Sequence, residues 1–159
     1  MMKKLLAVTL LWLIGLPAAA TAEVLEDVEY KRIAPLPVET GAKIEVREFF
    51  WYGCSHCFAL EPYLEKWIKG MPRNAQFIRT PGVFNERWAV HARTYYAFEA
   101  LGITGKMHHA LFRALHVDKQ PLFDAQSIAD FVVKRGGDGQ AFLETYNSFG
   151  IQASLNRAV

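Results

Sequence analysis

The sequence predicts an α/β fold, and three observations carry that expectation. A hydrophobic strand at residues 44–52 runs through Gly53 into the motif Cys54-Ser55-His56-Cys57, with a helix-like run behind it at residues 58–69. A second strand at residues 75–80 completes a strand–helix–strand unit, the kind of connection that is right-handed when its strands are parallel. From Asn85 onward the pattern is helical only. The predicted architecture is a small sheet that carries the motif at a strand-to-helix turn, joined to an all-helical segment.

The N-terminus is read separately. Lys3 and Lys4 precede an apolar run at residues 5–16, Pro17 breaks it, and Ala20-Thr21-Ala22 fits the small-x-small cleavage pattern. The run is shorter than the about 20 residues that span a bilayer. The expectation is a cleaved export signal over residues 1–22, with an uncleaved tether as the alternative. Lys3 and Lys4 also account for the formal net charge of +2. The balanced remainder has no basic footprint for nucleic acid, and its length suits one domain with a proper core. Export sets an oxidising context in which disulfides persist.

Residues 23–30 are acidic and polar and read as a leader, and residues 30–33 as a short edge strand. Ala34-Pro35-Leu36-Pro37 excludes helix. In the strand at 44–52, Ile44, Val46, Phe49 and Phe50 are interrupted by Glu45, Arg47 and Glu48. Pro62 falls inside the helix after the motif and predicts a kink. Gly70 and Pro72 end that helix, and Phe77 and Ile78 mark the next strand. Trp88, Tyr95, Ala97, Phe98 and Leu101 define a helix that stops at Gly102, and residues 107–117 a second. Asp124 is an N-cap for a third, with Ile128, Phe131 and Val132 apolar and Gly136-Gly137 at its end. Asp138 caps a fourth, with Phe142, Tyr146 and Phe149 expected inward, and Ser154 begins a fifth.

Cys54 and Cys57 are the only cysteines in the chain. Thiol–disulfide exchange needs an attacking thiolate and a second thiol near enough to resolve the mixed disulfide, and two intervening residues put both sulfurs on one helical turn. Cys54 falls at the helix N-terminus, where unpaired N–H groups and the macrodipole favour negative charge. His56, when protonated, adds a cation within reach. Stabilising the reduced thiolate makes the disulfide a better oxidant, and Cys57, one turn in, is expected to be shielded and to resolve.

Other readings compete. A structural disulfide here would close a very short loop, which gains least from cross-linking. A zinc site typically uses about four ligands, so it would need His91, His108, His109 or His116 beside the cysteines. A c-type haem is excluded because Phe58 rather than histidine follows Cys57. A carboxylate within a hydrophobic strand is costly unless paired, and two readings of Glu48 stand. It is a buried proton acceptor beneath the dithiol with Arg79 as partner, or a strand-edge charge facing solvent. Trp51 and Tyr52 rim a peptide groove or belong to the core, and His108-His109 read as exposed helix residues.

The stretch FFWYGCSHC after a hydrophobic strand, the proline-bearing helix, the helical insertion and the export signal together resemble the DsbA family over residues 30–159. These are periplasmic thiol:disulfide oxidoreductases with a thioredoxin-like fold. The resemblance implies that Cys54 is the nucleophile that forms mixed disulfides with unfolded exported proteins, that Cys57 resolves them, that His56 tunes Cys54, and that Glu48 is the acid below the dithiol. It further implies re-oxidation by a DsbB-like quinone-linked membrane protein. The expected state of the chain is a monomer with no cofactor or resident metal.

Ser55 stands where family members commonly carry proline, in the dipeptide that tunes oxidising strength, so it joins the candidate site residues. The family also has a cis-proline loop facing the dithiol, followed by further strands and a helix. Here the last proline is Pro121. The expected form is therefore a thioredoxin-like sheet with an inserted all-helical subdomain and the C-terminal strands missing. In that layout 1–22 is the signal, 23–82 the first part of the thioredoxin-like domain, 83–152 the helical insertion and 153–159 the start of a return helix. The competing functions are a disulfide reductase or isomerase, and a non-catalytic peptide- or metal-binding module.

Overall fold

The computed structural model describes residues 24–35 and 37–158. The expected signal at 1–22 lies outside the described residues. The described residues up to Pro37 belong to a unit separate from the rest. It holds a tight turn with one bridge between Glu26 and Tyr30 and an ion pair of 2.8 Å between Arg32 and Glu26. The edge strand expected at 30–33 is not formed. Tyr30 makes only that single bridge, and Ile33 is 81% exposed, so the segment has no buried apolar face to hold it in a ladder.

The unit from Val38 onward contains, among the described residues, β1 (Ile44–Phe50), α1 (Ser55–Lys69), β2 (Ala75–Pro81), α2 (Glu86–Ala100), α3 (Thr104–His116), α4 (Ala125–Lys134), α5 (Gly139–Tyr146) and α6 (Phe149–Arg157). β1 and β2 pair in parallel, from Ile44 opposite Ala75 to Phe50 opposite Pro81. Glu48 therefore stands beside Arg79. β1 stops two residues short of the expected end because the chain turns at Trp51, whose carbonyl accepts from Cys54 N–H at 2.9 Å. α1 begins at Ser55, earlier than its apolar periodicity indicates, because its first turn is polar. Pro62 lies within it.

The capping chemistry is local and follows the sequence. Asn85, Asp124 and Asp138 each accept a main-chain N–H in the first turn of α2, α4 and α5. Two expectations about the last helix are corrected. It begins at Phe149 with Ser148 as its cap, not at Ser154; Ser154 is mid-helix and its hydroxyl donates to Gly150 O. Phe149, expected inward, is 87% exposed. As the first residue after a cap it does not share the face on which Ile151 and Leu155 are buried.

The main core joins the end of the sheet to the helices. Phe50 and Tyr52 pack with Phe98 of α2, Met107, Leu111 and Phe112 of α3, Ile128 and Phe131 of α4, and Phe142 of α5. His91 of α2 is buried beside it. Its Nε2 lies 2.8 Å from Leu122 O, while its Nδ1 has no partner. Burial lowers its pKa to about 4. An unfolded chain takes up that proton near 6.5 whereas the folded protein does not, so the stability gained from a neutral His91 is complete above pH 6.5 and is lost as pH falls towards 4. The slope is at most about 1.4 kcal/mol per pH unit. Denaturant midpoints between pH 7.5 and 4 should fall more steeply for the wild-type chain than for His91→Gln. Parallel profiles would show that His91 does not contribute.

Candidate active site

The turn between β1 and α1 presents the two cysteines. Gly53 permits it sterically, since a Cβ there would stand 2.3 Å from a ring atom of Trp51. Cys54 is the N-cap of α1 in extended conformation, and its Sγ accepts from Cys57 N–H at 3.3 Å. The sulfur occupies the position that a capping oxygen normally takes, on the positive end of the helix. Both thiols are free and partly buried. Ser55 and His56 are exposed.

The two thiols are driven in opposite directions. Burial acts against ionisation of Cys54, but hydrogen bonds from the Cys57 thiol and from the N–H groups of Cys57 and His56 outweigh it, and its pKa lies below the ordinary thiol value. Cys57 is pushed up to about 11, by burial first and then by giving its hydrogen to Cys54, with the negative charges of Cys54 and Glu48 adding to the shift. It is the main chain of His56 that reaches the sulfur.

Glu48 faces inward: its side chain is 8% exposed and its Oε2 accepts from Arg79 Nε at 3.0 Å. The other oxygen is buried without a partner. Burial, then repulsion from Glu61, raise the Glu48 pKa against the pull of Arg79. Tyr52 belongs to the core. Trp51 stacks on Trp88 at 4.4 Å, and both line an apolar cavity of about 470 Å³ that also includes Phe49, Phe84 and the two cysteines.

No protein-family model matches the chain. Individual relatives do. The chain is 40% identical to the thiol:disulfide interchange protein DsbA of Burkholderia cepacia, over 99% of this chain and 76% of that protein. The chain belongs to the DsbA family. It is also 39% identical to the DsbA of Pseudomonas aeruginosa over 82% of its own length and 62% of that relative, so it spans less than two thirds of that protein. The crystal structure of Pseudomonas aeruginosa DsbA superimposes with a TM-score of 0.75 at 39% identity, covering 79% of this chain and 65% of that one. DsbA from Xylella fastidiosa follows with a TM-score of 0.71 at 29% identity, covering 76% of this chain and 66% of that one. The fold of this DsbA-family chain is thus thioredoxin-like α/β with a helical insertion.

Beneath the dithiol of this DsbA-family chain lies an ionic cluster that the sequence did not reveal. Glu61, one turn beyond Cys57 on α1, is 2% exposed and accepts from Arg79 at 3.0 Å. His108 Nε2 lies 3.3 Å from it and His109 Nδ1 3.5 Å. Burial opposes its ionisation, but His108 and Arg79 outweigh that and hold the carboxyl below the usual range. A glutamate beside Pro62 in an amphipathic helix looks like a solvated residue. The signal available was its four-residue spacing from Cys57, which places both on one face. His108 is likewise corrected. It is 2% exposed rather than a surface residue, and its Nδ1 lies 2.8 Å from the Tyr52 hydroxyl. Of the histidines considered as partners for a metal, His91 lies against Leu122 O and His116 against the Tyr52 carbonyl, while His108 and His109 share Glu61 and reach Tyr52 and Glu65 respectively.

Proposed function

We propose that the chain is a thiol:disulfide oxidoreductase that donates disulfides to newly exported proteins, with Cys54 as nucleophile and Cys57 as resolving thiol. The observation that carries this reading is the place of the Cys54 sulfur, which caps α1 and accepts from Cys57 N–H at 3.3 Å, so that the two thiols are displaced in opposite directions. In the oxidised form a substrate thiolate attacks the Cys54 sulfur, the Cys54–Cys57 bond breaks and Cys57 leaves with a proton. A second substrate thiolate then attacks the substrate sulfur of the mixed disulfide and expels Cys54 as a thiolate. The substrate loses two electrons and the Cys54/Cys57 pair gains them. A low Cys54 pKa favours the second departure.

The first departure is harder, because Cys57 is a poor leaving group until it is protonated. Glu48 serves there. Burial raises its pKa, which brings it closer to the range in which a carboxyl can donate a proton, and when it is ionised its charge raises the pKa of Cys57 in turn. The apolar cavity beside Cys54 suits an unfolded polypeptide rather than a small polar thiol. Periplasmic location after removal of residues 1–22, and re-oxidation by a DsbB-like membrane protein, rest on the export-signal pattern and on membership of the family. The layout of residues 23–82 and 153–159 around an insertion at 83–152 rests on the same comparison.

Equilibration with glutathione redox buffers tests the reading. An exchangeable pair with an oxidising potential is expected. A pair that does not exchange would point to a binding module, and a low potential to a reductase. His56 is expected to support the thiolate from the exposed side. His56→Leu should raise the Cys54 pKa and make the protein less oxidising. Titration of thiolate absorbance with no upward shift would remove His56 from the site.

A further inference from the structure

Tyr52, two residues before Cys54, is held by one face of α3 at three points. His108, Phe112 and His116 recur at four-residue spacing and so share that face. His108 Nδ1 lies 2.8 Å from the Tyr52 hydroxyl. The Phe112 ring meets the Tyr52 ring edge-on at 4.9 Å. His116 Nε2 lies 2.8 Å from the Tyr52 carbonyl oxygen. A carbonyl only accepts, so His116 must carry its hydrogen on Nε2. The His116 ring also stacks on Phe58 at 5.1 Å with planes 8° apart, and Phe58 is the residue after Cys57. His116 thus grips the chain on both sides of the dithiol without touching either sulfur.

That grip bears on the chemistry through the turn. Cys54 is set in place by its own N–H to the Trp51 carbonyl, one peptide away from the carbonyl that His116 binds. Its Sγ then sits 3.3 Å from Cys57 N. Such bonds weaken steeply with misalignment, so a small rotation of the turn removes the contact that favours the thiolate. We infer that His116 is a positioning residue for the dithiol: by binding the Tyr52 carbonyl it holds the turn that places the Cys54 sulfur on the helix N-terminus. This rests on the reading of Cys54 and Cys57 as an exchanging pair.

The test is the pH profile of Cys54 alkylation by iodoacetamide in the full chain, compared across His116→Phe, His116→Leu and His116→Gln. Phenylalanine keeps a ring against Phe58 without a donor, and glutamine keeps an N–H donor without the ring. In the neutral range Cys54 should react about three- to tenfold more slowly in the Phe and Leu variants, with the profile moved to higher pH, and glutamine should restore it. Wild-type profiles in both Phe and Leu variants would overturn the inference. So would a Gln variant as slow as the Leu variant, which would make packing the cause, or failure of both donor-free variants to fold, which would make His116 a folding residue. A wild-type Cys54 that reacts no faster than Cys57 would instead defeat the underlying dithiol reading, whatever the variants do.

Discussion

Cys54→Ala should reduce peptide oxidation to the uncatalysed background, while Cys57→Ala should trap the protein as mixed disulfides with its substrates. The two effects differ because the two sulfurs do. Cys54 is held below the ordinary thiol pKa by a hydrogen bond from the Cys57 thiol and by the N–H groups of the α1 N-terminus. Cys57, pushed to about 11, is ionised to roughly one part in ten thousand at pH 7 and cannot replace it as attacking group. Without Cys57 a mixed disulfide on Cys54 has no internal thiol to release it. Non-reducing electrophoresis of the Cys57→Ala variant with a disulfide-bearing peptide, whose S–S bond the Cys54 thiolate cleaves with release of the other peptide sulfur as a thiolate, and loss of the adducts on adding reductant, measures the second outcome. Equal alkylation rates of the two reduced wild-type thiols at neutral pH would contradict both assignments.

Arg79→Met is expected to be among the most destabilising single changes in the sheet. Arg79 is the cation between Glu48 and Glu61, both almost fully buried. Removing one partner of a buried ionic group leaves an uncompensated charge, at a cost of about 3–5 kcal/mol. The cost should also depend on pH. In the wild-type chain the lowered pKa of Glu61 gives stability that is lost as pH falls through the carboxylate range, while the raised pKa of Glu48 acts in the opposite sense. Without Arg79 the Glu48 carboxyl is raised further, the folded form binds a proton that the unfolded chain has released, and the loss relative to the wild-type chain should be smaller at pH 5 than at pH 7. Urea unfolding at pH 7 and at pH 5 measures both effects. A loss below about 1 kcal/mol at pH 7 would show that the cluster is hydrated and not a buried ionic unit.

The strand–helix–strand unit, the helices that follow and the three polar caps at Asn85, Asp124 and Asp138 were legible because their causes lie within a few residues. A cap side chain bonds an N–H in the next turn, and an apolar face repeats every three or four positions. The dithiol was legible for the same reason, since Cys54 and Cys57 share one turn and the strand-to-helix junction sets their polarity. The edge strand at 30–33 failed because a strand needs a partner and a buried face, neither of which is encoded in four residues.

The second tier of the site was not legible. Glu61, His108 and His116 look like ordinary polar residues on amphipathic helices, and periodicity alone assigns such residues to water. Their partners come from far along the chain: Arg79 is 18 residues from Glu61, Tyr52 is 56 from His108 and 64 from His116. What the sequence determined by itself was the pair of cysteines on one turn and the helix end on which they sit. Which charges are taken out of water beneath that pair, and what holds the turn that carries it, were decided only when α3 packed against α1 and the end of β1. Burial and ion pairing depend on distances in space, which no local pattern encodes.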